Sequence, residues 1–165
     1  MPNVLIIGLD NAGKSTLTSR MLTRLGQNHN QQILPTIALE THTFKYRKNK
    51  FTIFDLGGSG RFRSLWESYV IDANIILVVI DSADRETFFV ARDNFQKLMS
   101  NIQPKQQQFK IIFNKQDLET AVTQDKMSRL LNLDGLFKGA DLQVFSLSAL
   151  RDEGVEQLIK SVFND

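Results

Sequence analysis

The chain has 165 residues, of which 42% are apolar and 23% are charged, the balance of a folded globular protein rather than a disordered one. Its formal net charge of +2 gives no reason to expect nucleic acid as a partner. The absence of cysteine excludes disulfides, thiolate metal sites and cysteine nucleophiles. We expect one domain over residues 1–165 and a monomeric, cytoplasmic protein.

No segment predicts a membrane anchor. The longest apolar run, Ile75 to Ile80, is too short to cross a bilayer. Pro2 excludes the myristoylation pattern, and residues 163–165 offer no cysteine for prenylation. We therefore expect no direct lipid anchor in this chain, and contact with membranes only through partners.

Short apolar runs alternate with helical patterns, which predicts an α/β fold with a mostly parallel sheet and flanking helices. Six strands are predicted, at Val4–Ile7, Leu39–Tyr46, Phe51–Asp55, Ile75–Ile80, Phe109–Phe113 and Leu142–Leu147. Helices are predicted to begin near Lys14, Ser64, Arg85, Gln124 and Gly154. A turn at residues 47–50 predicts a hairpin, so one edge strand should be antiparallel. Ligands of such sheets lie beyond the carboxyl ends of the strands, where the motifs below fall.

The first predicted strand runs directly into a full match to the phosphate-binding loop, GLDNAGKS. Glycines let the backbone N–H groups face a phosphate, and the following helix adds its positive end. We expect the Lys14 ammonium to meet the β- and γ-phosphates and the Ser15 hydroxyl to ligate Mg²⁺. A glycine-rich turn before a helix is the alternative interpretation. The nucleotide contacts predicted here are Gly8, Leu9, Asp10, Asn11, Ala12, Gly13, Lys14, Ser15 and Thr16.

The fifth predicted strand ends in the sequence NKQD, which favours guanine over adenine. The Asp117 carboxylate can accept hydrogen bonds from guanine N1–H and the 2-amino group, and adenine would leave this carboxylate unpaired. We expect Asn114 to reach the base edge and the stem of Lys115 to pack on the ring. After the sixth strand, Ser148 and Ala149 are predicted to contact the base, with the Ala149 N–H directed at O6.

The end of the third predicted strand and a polar loop predict the magnesium and γ-phosphate contacts. Asp55 is suited to hold Mg²⁺ through a water, and the N–H of Gly58 can approach the γ-phosphate because no side chain intervenes. Thr36 follows the polar loop 26–32 and can close over Mg²⁺ when the γ-phosphate is present. Loss of that phosphate would release both segments, which is how such proteins switch.

Over essentially its whole length the chain resembles the Arf and Arf-like small GTPases. The likeness is carried by GLDNAGKST at 8–16, PTI at 35–37, DLGG at 55–58, LW at 65–66, DSADR at 81–85 and NKQD at 114–117. It implies a three-layer P-loop GTPase (Ras-like) fold and a GTP/GDP switch in membrane, vesicle or ciliary trafficking. Exchange factors, GTPase activators and effector or coat proteins would act on it. The stretch GRFRSLWE resembles a BBSome-recruiting ciliary branch and a lysosome-positioning branch, and LDN at 9–11 with ILPT at 33–36 favours the first.

Three departures from the family pattern bear on activity. Ser59 stands where the family has the glutamine that orients the attacking water, and its hydroxyl is too short for that task. Lys14, Thr36 and Gly58 complete the predicted catalytic set, and residues 26–37 hold no Arg or Lys that could act as an arginine finger. We expect intrinsic hydrolysis at or below about 10⁻⁴ s⁻¹. Ala38 replaces the usual glycine, and the sequence shows no amphipathic helix before the first strand.

Apolar residues in and beside the predicted switches indicate a surface for partners. The resemblance matches Leu39, Phe54 and Tyr69 to an aromatic effector triad, whereas on pattern alone they are as compatible with a core. The complete set predicted to contact partners is Ile37, Leu39, Phe54, Arg61, Trp66 and Tyr69. Arg63 is a further candidate.

Two other functions are compatible with parts of the pattern. A binding module that holds GTP permanently would follow if Ser59 abolishes the chemistry. A P-loop kinase or ATPase would have no use for NKQD. We expect no catalytic or metal role for His29 or His42, a solvated basic turn at residues 45–50, and helix capping by Asp81 and Asp84.

Overall fold

The computed structural model describes residues 1–27, 38–102 and 107–163. Within these ranges six strands form one sheet: β1 (Asn3–Ile7), β2 (Leu39–Tyr46), β3 (Asn49–Leu56), β4 (Ile75–Asp81), β5 (Gln108–Asn114) and β6 (Asp141–Ser146). The strand order is β2-β3-β1-β4-β5-β6, and only β2 is antiparallel to its neighbour. The predicted α/β class, with one antiparallel edge strand, is confirmed.

Helices connect these strands: α1 (Lys14–Arg24), α2 (Trp66–Asp72), α3 (Phe88–Asn101), α4 (Gln124–Leu131), α5 (Leu133–Leu136) and α6 (Val155–Phe163). The helix starts predicted near Ser64 and Arg85 fall on short 3₁₀ turns, Arg63–Leu65 and Arg85–Thr87, which lead into α2 and α3. The single-turn helix α5 was not predicted, because four residues are too few to show a helical period.

Helices cover both faces of the sheet, which gives three layers. Along β1, Val4 and Ile6 face a core shared with α1 and α6, whereas Leu5 and Ile7 face a core shared with α2 to α5. The uninterrupted apolar run of β4 is explained in the same way, since a central parallel strand is buried on both faces.

The hairpin between β2 and β3 is tighter than the sequence predicted. Tyr46 pairs with Asn49, so the turn contains only Arg47 and Lys48, and β3 begins at Asn49 rather than at Phe51. Arg47 takes a positive φ of 54°, the backbone conformation that two-residue hairpin turns favour. The basic residues Arg47 and Lys48 thus form the turn itself.

Five strands, β1, β3, β4, β5 and β6, run in one direction. Their carboxyl ends place the segments after Ile7, Leu56, Asp81, Asn114 and Ser146 along one edge of the sheet. The motifs at 8–16, 55–58, 81–85 and 114–117 lie at these strand ends. No helix in the described part of the chain combines the length and apolar character needed to span a membrane.

Candidate functional site

The loop between β1 and α1 has a backbone that depends on its glycines. A Cβ atom on Gly8 would overlap the carbonyl of Val79, and one on Gly13 would overlap the side chain of Asn114. Gly13 also has a φ of 95°, in the region that glycine adopts at least cost. Leu9 and Ala12 are buried, Asp10 and Asn11 are exposed, and Thr16 is half-buried on α1. The glycines therefore allow the loop to lie directly against the strand ends.

Lys14 is buried within this loop. Its Nζ donates hydrogen bonds to the carbonyl oxygens of Gly8 and Leu9 at 3.1 and 3.0 Å. Burial lowers the pKa of the ammonium, against an opposing effect from the nearby Asp55 carboxylate. No side chain caps the first turn of α1, and a helix N-terminus of this kind favours an anion. The Lys14 ammonium and the N-terminus of α1 thus both lie at the loop between β1 and α1.

Asp55, at the end of β3, is completely buried beside the loop. Its Oδ2 accepts hydrogen bonds from the hydroxyls of Ser15 and Thr18, both at 3.2 Å. Its Oδ1 is buried without a hydrogen-bond partner. Burial raises the pKa of the carboxyl to about 6, and the Lys14 charge opposes that shift. A buried carboxylate oxygen without a partner, close to a hydroxyl, fits the oxygen ligands that Mg²⁺ prefers.

The segment after Asp55 lies against the phosphate-binding loop. A Cβ atom on Gly58 would overlap the backbone of Leu9 and Asp10, which explains the need for glycine there. The N–H of Gly57 donates to the carbonyl of Ala38 at 2.9 Å, so the start of β2 is tied to this segment. Arg63 Nε donates to the Gly58 carbonyl at 2.9 Å. The next residue, Ser59, is half-exposed. Thr36 and Ile37 lie outside the described residues.

Asn114 connects the two halves of the site. Its side-chain amide donates to the carbonyl of Ala12 at 2.9 Å, and its Oδ1 accepts the N–H of Ala149 at 3.0 Å. Both atoms are buried. Asn114 was predicted to reach the base edge, and in this structure its amide joins the phosphate-binding loop to the loop after β6. The Ala149 N–H, expected to meet O6, is donated to Asn114 in this structure.

The remaining NKQD residues are fixed by specific partners. Lys115 has a positive φ of 64°, unusual for a residue with a side chain, and its Nζ lies 2.7 Å from Asp81 Oδ2. The Ser148 hydroxyl donates to Asp117 Oδ1 at 2.6 Å. The structure thus brings together Asn114, Lys115, Asp117, Ser148 and Ala149.

Three supporting residues were missed by the sequence reasoning. The Thr18 hydroxyl donates a hydrogen bond to Asp55, and the guanidinium of Arg20 on α1 donates to the carbonyls of Ala149 and Leu150. Asp81 was expected only to cap a helix. It does accept the N–H groups of Ala83 and Asp84, but its other oxygen pairs with Lys115. Spacing along the chain carries no signal for contacts between residues this far apart.

The predicted partner surface is only partly exposed. Leu39 is 36% exposed, and the half-buried rings of Phe54 and Tyr69 lie in contact at 5.7 Å between centroids. The prediction that Trp66 contacts partners must be corrected, because its side chain is 2% exposed and stacks on Phe95 in the core.

Other candidate residues add little to the site. Arg61 is exposed, with its guanidinium 5.7 Å from the ring centroid of Phe62. Within the described residues, no group of three or more His, Asp or Glu side chains is placed to hold a metal ion on its own. His42 lies on β2, away from the site, and His29 falls outside the described residues.

Comparison with known proteins extends this picture. A family model described as the ADP-ribosylation factor family matches residues 2–165. ADP-ribosylation factor-like protein 6 of Danio rerio is 36% identical over 155 residues, which cover 93% of this chain and 82% of that protein. ADP-ribosylation factor-like protein 1 of Caenorhabditis elegans is 31% identical over 153 residues, with coverage of 93% and 82%.

Among solved structures, the small GTPase Arl6 (BBS3) from Trypanosoma brucei with the bound nucleotide analogue GppNp superposes with a TM-score of 0.85. It is 26% identical and covers 97% of this chain and 95% of its own. Its fold and the family match agree with the geometry described above. The chain therefore belongs to the ADP-ribosylation factor family of small GTPases, nucleotide-dependent switches that bind GTP and GDP with Mg²⁺.

Proposed function

We propose that residues 1–165 form one switch domain in which the phosphates bind between Gly8 and Thr16 and the guanine binds against NKQD and the Ser148–Ala149 loop. The observation that carries this proposal is the pair of hydrogen bonds that the Asn114 side chain makes to the Ala12 carbonyl and to the Ala149 N–H. This bridge fixes the distance between a phosphate-binding end and a base-binding end. A single side chain thus sets the spacing that a nucleotide must match.

Guanine selectivity rests on Asp117. Its carboxylate is oriented by the Ser148 hydroxyl at 2.6 Å, and it can accept from both N1–H and the 2-amino group. The Lys115 stem is held by Asp81 beside it. One N–H can serve two acceptors in a three-centre bond, so the Ala149 N–H can bind O6 while Asn114 remains in place.

The residues fit a magnesium ion. Ser15 and the unpaired Oδ1 of Asp55 would hold it, Asp55 through a water, and Thr36 would join them when GTP is bound. When bound, Mg²⁺ would neutralise phosphate charge. Of the chain's own groups, Lys14 and the N–H of Gly58 would bind the γ-phosphate.

Intrinsic hydrolysis should be very slow. A serine side chain is shorter than a glutamine side chain, so Ser59 cannot orient an attacking water as a glutamine does at this position. We infer that efficient turnover needs a group supplied by a GTPase activator. A chain that holds GTP permanently and acts only as a binding module is the second candidate, and Ser59 is the observation that favours it.

The output of the switch would be recruitment of effector or coat proteins, in membrane, vesicle or ciliary trafficking. The proposed contacts are Leu39, Phe54 and Tyr69, together with Ile37 and Arg61. The likeness to an Arf-like protein 6 and to Arl6 (BBS3) supports the ciliary branch.

The test of nucleotide binding is a titration of the nucleotide-free chain with GTP, GDP and ATP in the presence of Mg²⁺. We expect tight binding of both guanine nucleotides and weaker binding of ATP by about a hundredfold or more. Equal binding of ATP would contradict the proposal. Single-turnover hydrolysis then separates the switch from the permanent module: a slow but measurable rate supports the switch, and stable GTP supports the module.

A further inference from the structure

Arg20 and Arg24 lie one turn apart on α1, and both donate hydrogen bonds to the loop after β6, but to different groups of it. Arg20 donates from Nε to the carbonyl of Ala149 at 3.2 Å and from its terminal nitrogen to the carbonyl of Leu150 at 3.0 Å. Arg24 donates from Nε to both carboxylate oxygens of Asp152, at 2.8 and 2.9 Å. Arg20 therefore holds the backbone, whereas Arg24 holds a side chain further along.

The opposite side of this loop faces the proposed base site. There the Ser148 hydroxyl donates to Asp117 and the Ala149 N–H donates to Asn114. Ser148 and Ala149 thus direct donors toward the NKQD segment, whereas the carbonyl oxygens of Ala149 and Leu150 accept from Arg20. Because the C=O and N–H of a trans peptide point in opposite directions, fixing the Ala149 carbonyl also fixes the N–H of Leu150.

The loop is also held by the paired backbone of Ser148 and Glu153, by the Arg151 N–H, which donates to the Ser148 hydroxyl at 3.1 Å, and by burial of the Ala149 side chain. The Leu150 side chain is 67% exposed, so packing does not anchor it. Arg20 is half-buried, and a cationic donor binds a carbonyl more strongly than a neutral donor does. In the described part of the chain, Arg20 is the side chain that binds the carbonyls of Ala149 and Leu150, and it thereby orients the peptide groups that follow them.

We propose that Arg20 is a positioning residue for base specificity, which holds the Ala149–Leu150 backbone where its N–H groups recognise the 6-oxo group of a purine. The idea rests on the proposed function, since it assumes that the base lies against this loop. Arg24, bound to Asp152, stabilises the same loop without touching the backbone that meets the base.

The test compares GTP with 6-thioguanosine triphosphate, which keeps the N1–H and the 2-amino group of guanine and replaces O6 by sulfur, a larger and weaker acceptor. Both are titrated with Mg²⁺ against the original chain, Arg20→Met, Arg20→Lys and the matched control Arg24→Met. Methionine keeps an unbranched apolar stem and removes the donors. We expect Arg20→Met to lower the preference for GTP over the analogue by about tenfold, Arg20→Lys to restore part of it, and Arg24→Met to leave it unchanged. Thermal unfolding of each variant verifies folding.

The outcomes are separable. Equal losses of affinity for GTP and the analogue in Arg20→Met would mean that Arg20 only stabilises the fold, and would overturn the inference. An equal fall in preference in Arg24→Met would overturn it as well, because any weakening of the loop would then suffice. If the original chain binds both nucleotides alike but still rejects ATP, O6 recognition fails and the inference falls, while selection by Asp117 stands. If it also accepts ATP, the proposed function itself fails.

Discussion

The proposed site has a base half, formed by the NKQD segment and residues 148–149, and a phosphate half, formed by residues 8–16 and Asp55. These two halves differ in how completely they are formed. In the base half, Asn114, Lys115, Asp117 and Ala149 each have a partner within 3.0 Å. In the phosphate half, Asp55 is buried with one oxygen unpaired and a raised pKa, and burial lowers the pKa of Lys14. The difference indicates that the base half is prepared in advance, whereas the phosphate half carries an electrostatic cost that the nucleotide and Mg²⁺ relieve.

Asp117→Asn tests the base half and should have the largest effect. An amide can no longer accept from both N1–H and the 2-amino group, so we expect GTP affinity to fall by about a hundredfold or more. Xanthine carries an oxo group in place of the 2-amino group, which matches the new donor. Titration with xanthosine triphosphate should recover most of the loss, and a variant that binds neither nucleotide would contradict this role of Asp117.

Asp55→Asn tests the phosphate half. We expect Mg²⁺-dependent GTP binding to weaken by about tenfold or more, since a charged ligand is lost. The nucleotide-free protein should instead gain about 1–3 kcal/mol in the free energy of unfolding at pH 7, because the variant buries no charge. Denaturant unfolding measures this, with Asp117→Asn as the control that should show no comparable gain.

Asp55→Asn and the original chain, both without nucleotide, should also differ in how their stability depends on pH. The folded pKa of Asp55, about 6, lies above the ordinary value of 3.8, so the folded state holds this proton more tightly. Protonated Asp55 therefore contributes to the stability of the folded state at pH values below its ordinary pKa, and this contribution is lost as the pH rises to about 6. The gap in unfolding free energy between Asp55→Asn and the original nucleotide-free chain should widen over that window and stay constant above it. A gap independent of pH would contradict the assigned burial.

Ser59→Gln tests whether the phosphate half lacks only a group that orients water. We expect the single-turnover rate of GTP hydrolysis to rise by about tenfold, because the longer amide can reach the attacking water. Ser59→Ala is the matched control and should leave the rate unchanged. A lower rate in Ser59→Ala would show that the serine itself takes part in the chemistry.

Asp81→Asn should have the smallest effect, within the base half. The loss of its charge loosens Lys115 from its 2.7 Å partner, and we expect guanine nucleotides to dissociate several-fold faster. The change should be the same with and without Mg²⁺, which stopped-flow dissociation measures. A strong dependence on Mg²⁺ would contradict the division of the site into two halves.

The two halves also differed in how far the sequence could predict them. The phosphate-binding loop is one continuous segment whose glycines satisfy local backbone demands, so its position between β1 and α1 was predicted correctly. Strand bounds were within about two residues, since buried parallel strands give long apolar runs. The single-turn helix α5 and the 3₁₀ turns gave no periodic signal.

The support of the base half could not be predicted, because it depends on side chains that meet only after folding. Asn114 contacts Ala12, 102 residues away, and Arg20 contacts Ala149, 129 residues away. No spacing rule covers such distances. Burial of Trp66 was missed for the same reason, since its partner Phe95 belongs to a different helix.

Amide hydrogen exchange, compared between the nucleotide-free chain and its complex with Mg²⁺ and GTP, tests the two-half account most directly. We predict that the amides of Leu147, Ser148 and Ala149 are protected in both states, because each already donates to a partner within the protein. The amides of residues 10–15 should gain protection of about tenfold or more when the phosphates bind. Free exchange at Ala149 without nucleotide, with a gain on binding equal to that of the phosphate-binding loop, would contradict a base half formed in advance.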